Sequence, residues 1–327
     1  MMLSSLFGGI FLGWSLGRNN LSNLFGTAIG TRMIRFRTAV VLAIICIFAG
    51  ALISGGATTE NVVRLANLQA PMDALIISLA TGLVLWGASR FGLPASIAQT
   101  SVGALVGWNL FHGIFPDSML LQKTIGAWLV APFLAAAISW IGIRLIRAYV
   151  HRYAVSVFKR DETVRIGLVV AGMTASYTLG ANNIGTITGP YLSVLSVPTV
   201  GIVFTVCLAV AVGCWQADRR VIETVSRHLF PLSPTESLVV MMASSVTMFL
   251  FSAQIIRDIL VWLKAPLFPL VPIPMSSVII GAIVGISLAK GGHGLRWSVL
   301  GQIMVSWVVI PVMAAVVGWG CLSVWGG

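Results

Sequence analysis

Charged residues are scarce in this sequence. Only 9% of its 327 residues are Asp, Glu, Lys or Arg, whereas 57% are hydrophobic. Soluble domains carry about 25% charged residues, so the shortage excludes a soluble enzyme or binding domain. Apolar runs of roughly 20 residues, the length that crosses a bilayer as a helix, recur with short polar loops between them. We therefore expect an all-α integral membrane protein.

Acidic residues are the rarest charged group, and none lies in the middle of an apolar run. The nine Asp and Glu residues and the four His residues all fall in loops or at the ends of runs. The four Cys residues show no C-x-x-C spacing, which favours small buried residues over ligands. Within the apolar runs the sequence shows no paired carboxylates, and it shows no metal-ligand cluster and no nucleophile beside a base. The sequence predicts a protein that is not an enzyme and needs no cofactor.

The twenty basic residues collect in loops. If the N-terminus faces out, fifteen lie in inside loops and only Arg64, Lys123, Arg257 and Lys264 lie outside, with Arg18 within the first run. This bias sets the orientation by the positive-inside rule. We expect a multi-pass protein of the cell (inner) membrane with both termini outside. The net charge of +11 then requires no nucleic-acid partner.

Two similar halves follow one another along the chain. We expect residues 1–146 to form a first transmembrane repeat, 147–163 a basic cytoplasmic linker and 164–327 a second transmembrane repeat. Each half has about five apolar runs, at 3–29, 38–56, 72–89, 92–107 and 124–146, then at 164–190, 198–215, 237–256, 266–289 and 297–320. An odd number of crossings makes the second half enter from the opposite side, giving an inverted-topology repeat.

A polar, glycine-rich island interrupts the first run of each half. Island 1 is Gly17–Thr27 (GRNNLSNLFGT) and island 2 is Gly180–Pro190 (GANNIGTITGP). Polar backbone at membrane depth is tolerated only where it is buried in protein or lines a watery cavity. We therefore expect a broken helix at each island.

A second matched pair of segments lies later in each half, at 92–107 and 271–285. Both contain proline and the pattern G-A-x-x-G, which begins at Gly103 in the first and at Gly281 in the second. Both are expected to be half-length or discontinuous helices. The interval from Gly103 to Gly281 is longer than the interval between the first glycines of the islands, so loop insertions separate the halves.

Helix starts inside a membrane attract anions, because their first amides are unpaired and the helix dipole is positive there. We expect the starts near Asn20, Ser96, Asn183 and Ser276 to converge on one small inorganic anion. Arg18 is a further candidate, since a charge within a span is functional by default; a structural or snorkelling role for it stays open. The candidate substrate-binding residues are Arg18, Asn19, Asn20, Asn23, Ser96, Gln99, Asn182, Asn183, Thr186, Thr188, Ser276 and Ser277.

The islands and the later segments resemble the inorganic phosphate transporter family, whose repeats carry G-A-N-D-x-A-N-x-x-G-[PT]. Island 1 keeps the Gly and both Asn positions and ends in Gly26-Thr27, while island 2 keeps Gly180-Ala181-Asn182 and Gly189-Pro190. The family's P-V-S-T-T-H-x-x-x-G-A segment is matched at Pro94, Ser96, Gly103 and Ala104. The resemblance covers nearly the whole chain.

The departures from the family pattern include both of its Asp positions. Asn20 and Asn183 replace the two Asp residues that the resemblance implies would hold coupling sodium ions. Thr186 replaces an Asn, and Ile97-Ala98-Gln99 replaces T-T-H. The metal expectation is therefore none, apart from a weak sodium site near Asn20 and Asn183 that stays open. The coupling ion, H+ or Na+, is left open too.

The resemblance implies a secondary transporter that moves inorganic phosphate across the cytoplasmic membrane by alternating access, as a symporter. Sulfate or a related oxyanion stays open on the same fold, because a site without the Asp charges needs less countercharge. An uncoupled anion channel or exporter also stays open, because no carboxylate lies mid-span. The expected partners are the anion and the lipid bilayer, with a homodimer left open.

Overall fold

The computed structural model describes residues 2–66, 68–93, 95–115, 117–153, 157–195, 198–217, 230–292 and 294–325, and every regular element in these ranges is helical. The helices are α1 (Met2–Gly30), α2 (Phe36–Ser54), α3 (Gly56–Ala66), α4 (Pro71–Arg90), α5 (Ile97–Phe111), α6 (Ser118–Tyr153), α7 (Val157–Leu179), a π-helical segment (Gly180–Ile184), α8 (Gly185–Leu192), α9 (Thr199–Trp215), α10 (Pro234–Ser252), α11 (Gln254–Trp262), α12 (Met275–Ala289) and α13 (Trp297–Trp325).

Six helical runs in the described part of the chain are long and apolar enough to cross a membrane. They are Phe36–Ser54, Pro71–Arg90, Ser118–Tyr149, Asp161–Leu192, Pro234–Ser252 and Trp297–Ser323. α9 and α12 are apolar but shorter. The expected all-α, multi-pass membrane protein is thereby confirmed.

Neither island breaks its helix, so that part of the sequence prediction is wrong. α1 continues through island 1, and island 2 is a π-helical segment within one helical run from α7 into α8. The polar side chains bond along the helix instead of ending it. Ser22 Oγ donates to Asn19 O (2.7 Å), and Thr186 Oγ1 donates to Asn182 O (3.2 Å). Single π-helical turns are rare and often mark functional sites.

The later segments do form half-length helices, as predicted. α5 and α12 have 15 residues each, about half a bilayer crossing. Ser96 and Pro274 are their N-caps. The predicted span 266–289 is helical only from Met275, because residues 265–274, which include four prolines, run as irregular backbone.

Two short helices, α3 and α11, lie where the sequence predicts only loops. Their 11 and 9 residues are too few for a crossing and carry no long apolar run. α3 packs closely on α8, because Gly185 has no side chain to displace Thr59 and Gly189 has none to displace Val62. α3 therefore covers the far end of island 2.

Helices of each half pack against helices of the other half. α1 of the first half packs against α9 of the second, where Gly17 lies against Val210 O. The run from α7 into island 2 packs against α2 of the first half, where Gly180 lies against Ile47 O. The two carbonyls are separated along the chain by the same interval as the two glycines. The repeat anchored at Gly17 and Gly180 is therefore also a repeat of contacts.

The half-length helices repeat their contacts in the same way. α5 lies on α13 with Gly103 against Pro311 O, and α12 lies on α6 with Gly281 against Pro132 O. One turn further along each helix, a second glycine lies against the carbonyl of an alanine. A β-carbon at any of these glycines would overlap the neighbouring backbone, so the glycines set the helix spacing. Inverted topology stays a prediction.

The predicted linker 147–163 is largely helical. Residues 147–153 end α6 and residues 157–163 begin α7, while 154–156 lie outside the described residues. The predicted basic loop positions Arg219, Arg220 and Arg227, and the motif residue Pro94, also lie outside them.

Candidate functional site

Two asparagines, one from each island, fasten their helix to the loop that precedes a half-length helix. Asn19 Nδ2 donates to Ala95 O, two residues before α5 begins, and Asn182 Nδ2 donates to Ile273 O (3.2 Å), two residues before α12 begins. Both asparagines are fully buried. The two donor asparagines are separated along the chain by the same interval as the first glycines of the islands. The two acceptor residues are separated by the longer interval found between the G-A-x-x-G segments. Each half thus joins its island to its own half-length helix by the same bond.

Contacts between the halves close these two pairs into a ring. α1 packs against α12, and α5 packs against α8. Together with the two asparagine bonds, these contacts connect α1, α5, the run from α7 into α8, and α12 in a circle. The four segments that carry the predicted site residues therefore lie next to one another.

The other amides of island 1 bond to each other. Asn23 Nδ2 donates to Asn20 Oδ1 (3.0 Å), and Asn20 Nδ2 donates to Leu16 O (3.2 Å). In island 2, Asn183 is buried, and Thr188 Oγ1 donates to Ile184 O (3.0 Å) within the helix. Buried amides that bond locally keep a polar surface inside the protein without breaking the backbone ladder.

Two of the four expected helix starts exist, at Ser96 and Ser276. Ser96 Oγ accepts from the backbone N–H of Gln99 (3.5 Å) and so caps α5. Ser277 Oγ donates to Pro274 O (2.8 Å) in the first turn of α12. The starts expected at Asn20 and Asn183 do not exist, because the helices are continuous there. The available positive helix ends are therefore those of α5 and α12.

Several buried polar atoms on these segments have no hydrogen-bond partner among the described residues. They are Asn23 Oδ1, Thr27 Oγ1, Ser101 Oγ, Asn182 Oδ1 and Ser276 Oγ. Leaving such an atom unsatisfied costs about 1–3 kcal/mol, so each of them calls for a solute or water to complete its bonding. The halves differ here, because Asn19 Oδ1 accepts from Ser89 Oγ (3.3 Å).

Arg18 and Gln99 lie to the side of the asparagine pairs. The guanidinium carbon of Arg18 is 4.9 Å from the centroid of the Trp14 ring, and Trp14 Nε1 donates to Gln216 Oε1 (2.9 Å) just beyond the end of α9. Gln99 lines an otherwise apolar cavity of about 630 Å³ between α6, α12 and α13. Anion binding by either residue stays a prediction.

Comparison with known proteins decides which family carries this architecture. A sequence profile described as "Phosphate transporter family" matches residues 16–318, which includes both islands and both half-length helices. The chain belongs to the phosphate transporter family. It is accordingly a membrane transporter and not an enzyme.

Relatives in this family cover almost the whole chain. A protein of Methanocaldococcus jannaschii that bears the name phosphate permease is 26% identical over 94% of this chain and 92% of its own length. The sulfate permease CysP of Bacillus subtilis is 25% identical over 96% of this chain and 85% of its own length. A solved structure titled "The sodium-dependent phosphate transporter" has the same fold, with a TM-score of 0.81 at 18% identity over 99% of this chain and 98% of that one.

Sequence reasoning missed the groups that the island asparagines bind. The carbonyl acceptors Ala95 and Ile273 carry no side-chain signal, and Ser89, Thr27 and Ser101 look like ordinary small polar residues within helices. The repeat did hold a signal for the acceptors, because they share the spacing of the G-A-x-x-G segments. Every residue of those segments shares this spacing, however, so the repeat alone does not single out the two acceptors in this phosphate transporter family member.

Proposed function

We propose that this protein is a secondary permease that moves inorganic phosphate across the cytoplasmic membrane by alternating access. Phosphate binds where the two asparagine pairs meet the starts of α5 and α12. The repeats have inverted topology, the termini lie outside, and the two halves rock about this centre. The observation that carries the proposal is the repeated bond of Asn19 to Ala95 O and of Asn182 to Ile273 O.

Electrostatics determine which ionic form of the anion such a centre can bury at a low cost in free energy. Asn20 and Asn183 are neutral, and the described candidate residues other than Arg18 carry no charge. Burying a doubly charged anion among neutral groups is expensive, whereas a singly charged one costs less. Monobasic phosphate carries one negative charge and two hydroxyl groups. It is therefore the form that this site is expected to prefer.

The unpartnered acceptors support the same choice. The amide nitrogen of Asn182 is committed to Ile273 O, so the atom left without a partner among the described residues is an oxygen that can only accept. The nitrogen of Asn23 is likewise committed to Asn20. A hydroxyl of protonated phosphate can donate to such an oxygen, whereas sulfate has no hydrogen to give. Sodium could use the same oxygens, so the coupled cation is H+, carried on phosphate, or Na+.

Proteoliposomes that contain the purified protein test the proposal. We expect saturable uptake of labelled phosphate that is accelerated by unlabelled phosphate inside, the behaviour of a carrier and not of a channel. At fixed total phosphate, uptake should rise as the outside pH falls from 8 to 6, because the monobasic fraction rises. Absence of phosphate uptake under H+ and Na+ gradients alike would overturn the assignment.

Sulfate is the second candidate, and two observations favour it. Asn stands at both positions where the family pattern has Asp, and a sulfate permease aligns over 96% of this chain. The same liposomes with labelled sulfate decide between the two anions. Sulfate uptake that exceeds phosphate uptake and does not change between pH 8 and 6 would replace phosphate with sulfate.

A further inference from the structure

A polar cavity opens beside the loop that leads into α12. Its volume is about 610 Å³, and its lining includes Asn61 and Arg64 of α3, Lys123 of α6, Arg257 of α11, and the stretch Leu267–Val271. Asn61 Nδ2 donates to Leu270 O, so α3 is bonded to this stretch directly. Val271 is two residues before Ile273, whose carbonyl accepts from Asn182. The cavity thus adjoins the backbone that holds island 2.

Basic side chains outnumber acidic ones in the lining of this cavity. Three of the four basic residues assigned to the outer loops, Arg64, Lys123 and Arg257, line it together. The one acidic residue of the lining, Asp117, uses Oδ1 to accept from two backbone N–H groups in the first turn of α6 and so caps that helix. Arg64 is paired with Glu60 at 2.6 Å, an exposed pair. Lys123 and Arg257 form no ion pair with any described residue, so the cavity keeps a positive potential.

The wall that carries Arg257 has no counterpart in the first half. The sequence interval between corresponding residues of the two halves is longer at α12 than at α10. The extra residues lie between these two helices and include α11. In the first half, only residues 91–96 separate α4 from α5. The extra segment therefore forms one side of the cavity and contributes a positive charge to it. On the proposed orientation, this happens on the outer side of only one of the two half-length helices.

We propose that this cavity is an outer capture site for inorganic oxyanions, which concentrates phosphate or sulfate before it reaches the buried centre. The inference rests on the proposed function, because it makes the cavity an antechamber of that transport site. Charges of one sign in a cleft raise the local concentration of the opposite ion and speed association, and salt weakens the effect. The capture site acts on the apparent affinity and leaves the turnover of the loaded carrier unchanged.

Charge removal in proteoliposomes tests the capture site. In right-side-out vesicles at low ionic strength, the double variant Lys123→Gln/Arg257→Gln should raise the half-saturation concentration for phosphate about three- to tenfold, with an unchanged maximal rate. Its half-saturation concentration should also depend less on added salt. The matched control is Lys264→Gln, which removes a basic residue of the same face that does not line the cavity. An unchanged half-saturation concentration and salt slope in the double variant would overturn the capture site while leaving phosphate transport standing.

A second measurement reports the cavity potential without transport, so the inference stays testable if wild-type liposomes take up neither phosphate nor sulfate. Cysteine placed at Met119, an exposed residue of the lining, is reacted with anionic and cationic methanethiosulfonates. We expect the positive cavity to raise the rate of modification by the anionic reagent at least threefold relative to the rate with the cationic one. This preference should vanish when Lys123 and Arg257 are both Gln. Equal reactivity ratios in both backgrounds would contradict a positive cavity.

Discussion

At the scale of single residues, Asn182 combines two roles. Its nitrogen holds Ile273 O, and its oxygen is a buried acceptor without a partner among the described residues. Asn182→Ala should therefore reduce phosphate uptake at least tenfold, while the loss of one buried hydrogen bond costs only about 1–3 kcal/mol of stability. Uptake and thermal unfolding are measured on the same preparation. Thr174→Ala, which removes a hydroxyl that bonds to Val170 O within α7, should change neither.

Asn20 and Asn183 stand where the family pattern has Asp, so restoring Asp at both positions tests how the ion coupling of transport responds to charge. In Asn20→Asp/Asn183→Asp, each new carboxylate is buried and needs a cation nearby to remain ionised. Uptake by this variant should require sodium more steeply than wild-type uptake does. The measurement is the sodium dependence of phosphate uptake at fixed pH, with Asn20→Ala/Asn183→Ala as the control that removes the amides without adding charge. A sodium dependence that matches the wild type would show that these positions do not set coupling.

At the scale of elements, the glycines that set the helix crossings should be intolerant of any side chain. A β-carbon on Gly281 would overlap Pro132 O, whereas one on Gly126 meets no atom within 4 Å. Gly281→Ala should lower the midpoint of thermal unfolding by several degrees, because α12 and α6 must separate. Gly126→Ala should leave it unchanged or raise it slightly, because alanine favours the helix. Similar shifts for the two variants would mean that the crossing is not tightly packed.

The helices also show how much of the fold can be predicted from the sequence. The crossings at α2, α4 and α10 follow from apolar length alone, and the half-length α5 and α12 follow from proline beside small polar residues. The continuity of α1 could not be predicted, because it depends on local bonds such as Ser22 to Asn19 O and on burial by other helices. The ring of four segments was expected from the repeat, but the carbonyls of Ala95 and Ile273 appear only in three dimensions.

At the scale of the whole molecule, one ion cluster makes the two halves unequal. Glu236 at the start of α10 is nearly buried and accepts from Lys290 at the end of α12 (2.8 Å) and from Arg147 of α6 (3.5 Å). Its repeat counterpart Asp73 caps α4 by accepting from the backbone N–H groups of Gln69 and Ala70. On the proposed orientation, the cluster joins the inner ends of three helices, and this arrangement fits a lock on the cytoplasmic side.

Breaking the lock should shift the carrier toward the inward-open state. Glu236→Gln removes the charge that Lys290 and Arg147 share, and the expected result is faster labelling of a cysteine introduced near Lys290 by a reagent applied from the inside. Asp73→Asn should leave that labelling rate unchanged, since Asp73 has no equivalent cluster among the described residues. Equal labelling rates in wild type and Glu236→Gln would remove the gating role and leave a purely structural one.

If both halves contribute to one anion site, an anomalous-scattering structure with bound arsenate should show it. One arsenic peak is expected within hydrogen-bonding reach of the first turns of both α5 and α12, with Asn19 and Asn182 on either side. A peak bound by one half alone, or one held only by Arg18 beside Trp14, would contradict it.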